Sequence, residues 1–115
     1  MGAAQPVTLT IESALTFEVD GIYTYKLNTR KAKADLVIAQ GVGIETGAQF
    51  DFKAVANKKL MAGSVFTAIS NTAASPLSGV FANLADRSTF VVGSNTYEVD
   101  YSGGDGNDLT LTVVP

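Results

Sequence analysis

Tyr97-Glu98-Val99-Asp100-Tyr101-Ser102-Gly103-Gly104-Asp105-Gly106-Asn107-Asp108-Leu109-Thr110-Leu111-Thr112-Val113-Val114 lies one residue from the end of the sequence and reads as strand, turn and strand without a break. Tyr97, Val99 and Tyr101 alternate with Glu98, Asp100 and Ser102. Leu109, Leu111 and Val113 alternate with Thr110 and Thr112. A period of two puts the apolar side chains of each segment on one face, which a helix would not do. Gly103 to Asp108 supplies what a reversal needs: glycines for positive φ, and Asp and Asn side chains that bond the nearby backbone. The segment predicts an all-β chain.

The same period runs upstream. Val7, Leu9, Ile11, Leu15, Phe17 and Val19 fall on odd positions, with Thr8, Thr10, Glu12, Thr16, Glu18 and Asp20 between them. Asp20-Gly21 is a turn signal that leads into Tyr23-Thr24-Tyr25-Lys26-Leu27, so residues 7–28 read as successive sheet segments. Leu36-Val37-Ile38-Ala39, Phe50 to Val55, Val65 to Ile69 and Phe90-Val91-Val92 continue the series, punctuated by Gly41, Gly43, Gly47 and Gly93. Residues 56–63 are too short to nucleate a helix alone and read as a loop. Residues 71–78, rich in Ser, Ala and Asn with Pro76, read as a surface connection. At least eight short strands and no helix are expected.

With 115 residues and 46% hydrophobic residues, the chain is sized for one domain with a modest core. A net charge of −3 gives no basic footprint for nucleic acid. The one basic cluster, Thr29 to Ala34 with Arg30, Lys31 and Lys33, reads as a solvated loop. Absent cysteines exclude disulfides and thiolate chemistry, and absent histidines exclude every Ser-His-Asp arrangement and the usual general base. No apolar run is long enough to span a membrane and none has the layout of a signal peptide, so membrane insertion is not expected and an export signal would lie upstream of this segment. Ile11 to Val19 echoes Ile44 to Phe52 at a spacing of 33 residues, compatible with one coil of a β-solenoid or with strand composition alone.

Three segments together carry a resemblance. Ser78-Gly79-Val80-Phe81-Ala82-Asn83-Leu84, Ser88 to Gly93, and Tyr97 to Leu111 are similar to the closing module of bacterial surface proteins built from autotransporter-associated β-strand repeats. There a G-x-F-x-x-L stretch, a strand ending in glycine and a Y-x-[IV]-x-Y-x-G-G-D-G-N-D-[VL] ending recur at the C-terminal end of a right-handed β-helix. The likeness is specific over residues 78–113, looser over 35–77 and weak before that. One departure is at Arg87-Ser88, where the family often has a glycine. The resemblance implies a secreted or cell-surface, adhesin-like repeat protein and a non-catalytic stalk or cap for this part of it.

Gly103-Gly104-Asp105-Gly106-Asn107-Asp108 also resembles the calcium-binding nonapeptide of repeats-in-toxin proteins, with Asp105 and Asp108 as the metal-binding candidates. Calcium takes six to eight oxygens, drawn in such repeats from stacked turns, and this chain has one copy. Thr110 also stands where the repeat has a large apolar residue. A structural turn is therefore the expected role, with no cofactor. The carboxylates Glu18, Asp20, Asp51, Glu98 and Asp100 alternate outward and single out no glycosidase-like pair. Tyr23, Tyr25, Tyr97 and Tyr101 offer a stacking platform for a glycan only if their faces are exposed. They share phase with core positions, which predicts core or rim residues with hydroxyls reaching water.

The fold expected from all this is the C-terminal coils and cap of a right-handed parallel β-solenoid, as one domain over residues 1–115. An antiparallel β-sandwich or jelly roll is the alternative arrangement, and with it a glycan- or calcium-binding module. Leu9, Phe17, Leu36, Phe50, Phe52, Val65, Phe81, Phe90, Val99 and Leu111 are the expected core. The expected partner is an upstream coil stacked on the Val7 to Val19 end, or a second copy in its place.

Overall fold

The computed structural model describes residues 8–11, 13–30, 33–55, 58–75, 77–103 and 106–115. Val7, Glu12, Lys31, Pro76, Gly104 and Asp105, each named above, lie outside them. The described chain is all-β. It forms eleven strands and no helix: β1 (Thr8–Ile11), β2 (Leu15–Phe17), β3 (Ile22–Asn28), β4 (Lys33–Ala34), β5 (Leu36–Ala39), β6 (Val42–Ile44), β7 (Gln49–Val55), β8 (Val65–Asn71), β9 (Thr89–Val92), β10 (Asn95–Gly103) and β11 (Asp108–Val114).

Three sheets hold them. The largest has the order β1-β5-β8-β11-β10-β9, a second pairs β2 with β6, and a third has the order β4-β3-β7. In the first half of the chain the pairing repeats. β1 lies parallel to β5 with Leu9 beside Val37, an offset of 28. β2 lies parallel to β6 with Phe17 beside Ile44, an offset of 27. β3 lies parallel to β7 with Tyr23 beside Phe50, again 27. Strands β1 to β3 thus stack, in order, on β5 to β7. The echo noted at 33 residues is not the register: Phe17 meets Ile44 rather than Phe50. The match that sets the stack is Tyr23-Thr24-Tyr25-Lys26 over Phe50-Asp51-Phe52-Lys53, where like side chains lie in one column.

The second half is different. β8 continues the parallel stack, with Val37 beside Ile69. β11, β10 and β9 then add to it antiparallel. The sheets are therefore mixed, and the chain does not build a closed, all-parallel solenoid. The reason is local: Gly93-Ser94 and the Gly103 to Asp108 turn reverse the chain at once, and parallel pairing needs a crossover far longer than either. The strand, turn and strand expected over residues 97–114 is what forms, with Tyr97 opposite Val113 and Val99 opposite Leu111.

The three-stranded sheet packs across the core on the large sheet, a sandwich-like arrangement that β2 closes along one side. Aromatic rings fill the interface. Phe52 lies 5.1 Å from Tyr97 and 5.4 Å from Phe90, and Phe17 lies 5.2 Å from Phe81 (ring centroids). Tyr25, Leu27, Ile69, Phe81, Tyr97, Val99, Leu109 and Leu111 are fully enclosed. Each such large side chain contributes about 1.5–3 kcal/mol of burial before chain entropy is counted.

The expected core is correct at Phe50, Phe81, Val99 and Leu111, while Phe17, Phe52 and Phe90 pack against it half-buried. It is wrong at three places. β5 turns Val37 and Ala39 inward rather than Leu36, because Val37 shares a column with Leu9 and Ile69. Val65 is exposed at the start of β8. Leu9 belongs to an inward column but is exposed, since no strand among the described residues lies beyond β1.

Candidate functional site

Residues 78–101 are held together by one phenol. Gly79, Phe81 and Leu84, the G-x-F-x-x-L positions, precede the turn that leads to β9. Gly79 has φ +84, and any Cβ there would overlap the Ile44 carbonyl oxygen, so only glycine lets this segment lie against β6. Phe81 and Leu84 are buried. Between them, the Tyr101 hydroxyl donates to the Leu84 carbonyl at 2.6 Å and accepts from the Phe81 N–H at 3.1 Å. Burial pushes the Tyr101 phenol up to about 12, the hydrogen bond from Phe81 acting in the opposite sense and the Asp86 charge adding to the rise.

The other tyrosines are also inside. Tyr23 donates to the Ala68 carbonyl at 2.9 Å, tying the three-stranded sheet to β8. Tyr25 and Tyr97 are fully buried, and burial raises the pKa of all three phenols. The expectation that these hydroxyls reach water is corrected: Tyr23 and Tyr101 spend theirs on backbone carbonyls. None of the four presents a face to a glycan.

The glycine-rich turn is built as a turn. Gly106 donates its N–H to the Gly103 carbonyl and adopts φ +102. Asn107 donates through Nδ2 to the Ala73 carbonyl at 2.9 Å. Asp108 accepts the Asn71 N–H at 3.0 Å. Asp105 and Gly104 lie outside the described residues. Asn71, 1% exposed, is the hub of this corner: its Oδ1 accepts the N–H groups of Gly41 and Ala73, and its Nδ2 donates to the Ser75 carbonyl. Among the described residues, no three carboxylates or other metal-ligating side chains converge.

The outward carboxylates do not gather either. Asp51 pairs with Lys53 at 3.5 Å, and Asp100 accepts the Ser102 N–H and lies 4.0 Å from Arg87. Asp86 accepts the Tyr101 N–H at 3.0 Å, and Asp35 has the most enclosed structural task of these carboxylates. It is buried, accepts the Lys26 N–H at 2.9 Å and pairs with the Lys26 ammonium at 3.0 Å, which locks β4 onto β3. In the basic cluster, Arg30 and Lys33 face water.

Among the described residues the open edges include the outer side of β9 and two others that adjoin apolar surface. The first is the N-terminal end of the stack, where, among the described residues, β1 is a terminal strand of its sheet, β2 has a neighbour only in β6, and β3 is covered only from Lys26 to Asn28, by Asp35 and β4. Exposure along one column is 55% at Leu9, 7% at Val37 and 0% at Ile69. Val19 is also exposed, while Ile22 faces outward in a column with the exposed Gln49. The second is the far edge of β7, beside a groove of about 260 Å³ lined by Phe50, Phe52, Asn83, Leu84 and Phe90. There Asn83 acts as one residue of a missing strand: its Nδ2 donates to the Phe50 carbonyl at 2.7 Å and its Oδ1 accepts the Phe50 N–H at 2.8 Å. Sequence patterns miss Asn71 and Asn83 because hydropathy is blind to an amide that replaces a backbone. Asn71 ends β8 and Asn83 lies in a turn, and those positions are the hint the sequence offers.

Comparison with family profiles, curated proteins and solved structures finds no match to this chain. The resemblance of residues 78–113 to autotransporter-associated repeats therefore stands on its motif residues alone.

Proposed function

We propose that this chain is the terminal, non-catalytic part of a β-solenoid stalk, in which two stacked coils are closed by an antiparallel meander. In this reading residues 8–28 and 36–55 are the coils, each with three sides, and β9 to β11 are the cap. The observation that carries it is the repeated parallel register, 28, 27 and 27 residues at β1/β5, β2/β6 and β3/β7. A coil must expose apolar surface and unpaired strand edges at each end, so a chain of this kind needs closing at one end and covering at the other. β11, β10 and β9 close the large sheet beyond β8. Leu9, exposed at the head of an inward column, marks the end that another coil would cover.

The motif likeness over residues 78–113 supports a secreted or surface-displayed bacterial repeat protein of adhesin-like architecture as the parent, with adhesion residing elsewhere in it. The partner of the N-terminal end is a preceding parallel coil, and a second copy of this chain takes its place when none is present. Sedimentation over a range of concentrations tests this. Association is expected for the unmodified chain and is expected to be lost in Leu9→Lys and in Phe17→Lys, which put an ammonium into the stacking column. Association that persists unchanged in both variants, or its absence at every concentration, would count against the reading.

A further inference from the structure

We propose that the far edge of β7 is a docking site for an extended peptide, which adds as a strand parallel to β7 with an acidic C-terminal end. The site is a different surface from the N-terminal end and does not depend on the solenoid reading.

The backbone alternation fixes which groups are offered. Gln49 donates its N–H to the Gly21 carbonyl on the β3 side, and Phe50 turns both its N–H and carbonyl to Asn83 on the other. Successive residues of a strand alternate in this respect, so Phe52 and Ala54 also face away from β3. Neither has a hydrogen-bond partner on that side among the described residues. Asn83 satisfies one rung of the ladder and leaves the next two open. Beside those rungs lies the apolar groove, walled by Phe50, Phe52 and Phe90. Evenly spaced backbone groups next to an apolar trough match one ligand geometry, an extended strand that pairs through its main chain and inserts alternate side chains.

A strand that continues the parallel β3/β7 pairing meets different charges at its two ends. β7 runs toward Lys58 and Lys59, both exposed. Lys58 is fixed there by its N–H to Thr29 Oγ1 at 2.9 Å and by its carbonyl, which accepts from Asn95 Nδ2. At the opposite end, past Asn83 in the chain, the Asp86 carboxylate accepts the Tyr101 N–H at 3.0 Å and Arg87 lies 4.0 Å from Asp100, so no free cation is offered there among the described residues. A strand parallel to β7 brings its own C-terminal end to the lysines and its N-terminal end to Asp86. The fit calls for apolar residues at alternate positions and carboxylates at the C-terminal end.

The test uses the whole chain, isotopically labelled, and an acetylated synthetic peptide of sequence Thr-Val-Thr-Val-Thr-Val-Glu-Glu. Its amide shifts are expected to map to Phe52 and Ala54, with the Phe90 ring shifting too. Ala54→Pro removes an outward N–H and no bond to β3, and is expected to weaken binding by at least about tenfold, the worth of a lost hydrogen bond and a blocked edge. Lys58→Glu with Lys59→Glu is expected to weaken this peptide several-fold and to leave a peptide ending in Thr-Thr unaffected. No amide shift at Phe52 or Ala54 at millimolar peptide would overturn the proposal, as would shifts confined to β1. A spin label on the peptide's C-terminal end that broadens Asn83 rather than Lys58 would overturn the direction. The unmodified protein supplies the deciding shifts, so a misfolded variant does not leave the question open.

Discussion

The side-chain amide of Asn83 forms both hydrogen bonds of a β-ladder rung with the backbone of Phe50, 2.7 Å to its carbonyl and 2.8 Å from its N–H. One residue of the connection from β8 to β9 thereby substitutes for a strand beside β7. Asn83→Ala strips both partners from a rung whose side chain is buried, with a cost of about 1–3 kcal/mol. Asn83→Asp keeps the acceptor and loses the donor, and should fall between. Urea midpoints measure both, and equal midpoints for Asn83→Ala and the unmodified chain would deny the rung its role.

Arg87 is the only non-glycine among the described residues with a positive φ, at 65°. It belongs to the Arg87-Ser88 pair, where the resembling family often has a glycine. A left-handed backbone costs a side-chain-bearing residue roughly 1–2 kcal/mol, and its exposed contact with Asp100 at 4.0 Å offsets little of that. Arg87→Gly should therefore raise stability by about 0.5–1 kcal/mol, allowing for the added freedom of glycine in the unfolded chain. A loss in thermal or urea melts would mean the side chain does more than the geometry indicates.

All four tyrosines are buried and their phenols are raised above the ordinary value of 10.0. Below pH 10 both folded and unfolded chains hold these protons, and the tyrosines add no pH dependence. Above it the unfolded chain releases them and the folded chain does not, so stability falls as pH rises. Phenolate absorbance should stay flat through pH 10 and then appear together with loss of the β-sheet signal. Smooth titration of any phenol at its ordinary pH, with the fold intact, would contradict the burial.

Asp108 accepts the Asn71 N–H, and Asn71 serves Gly41, Ala73 and Ser75 in turn. The corner is a structural one, so Asn71→Ala should cost about 2–3 kcal/mol by leaving buried backbone groups unpaired. Calorimetric titration of the EDTA-treated chain with calcium should give no binding heat and no change in melting temperature. A rise in melting temperature with calcium, lost in both Asp105→Ala and Asp108→Ala, would instead make the turn a cation site.

Strands were the legible part of this chain. Tyr97, Val99 and Tyr101 announce their inward face by parity alone, and the glycine turn after them announces the reversal. Registers were less so, because a parallel stack is set by columns between distant segments. Tyr23-Thr24-Tyr25-Lys26 over Phe50-Asp51-Phe52-Lys53 was visible as a 27-residue repeat, but the looser match of Ile11 to Ile44 masks it. Parity also fails where a strand has apolar residues on both faces: Leu36 and Val37 look alike until Ile69 defines the column. Exposure of Leu9 is not a property of its sequence neighbourhood at all, since among the described residues β1 has a neighbour only in β5. The candidate edges depend on Asn83 and on the unpaired side of Phe52, which no hydropathy pattern encodes.

The most direct test of the stacked-coil account is to fuse a second copy of residues 8–34 ahead of β1 and follow amide hydrogen exchange with the melting temperature. If the 27-residue register is a true coil repeat, the added segment should stack on β1 to β3, protect the outward amides of β1 and raise the melting temperature as Leu9 is covered. An added segment that exchanges freely, leaving β1 unprotected and the melting temperature unmoved, would contradict it.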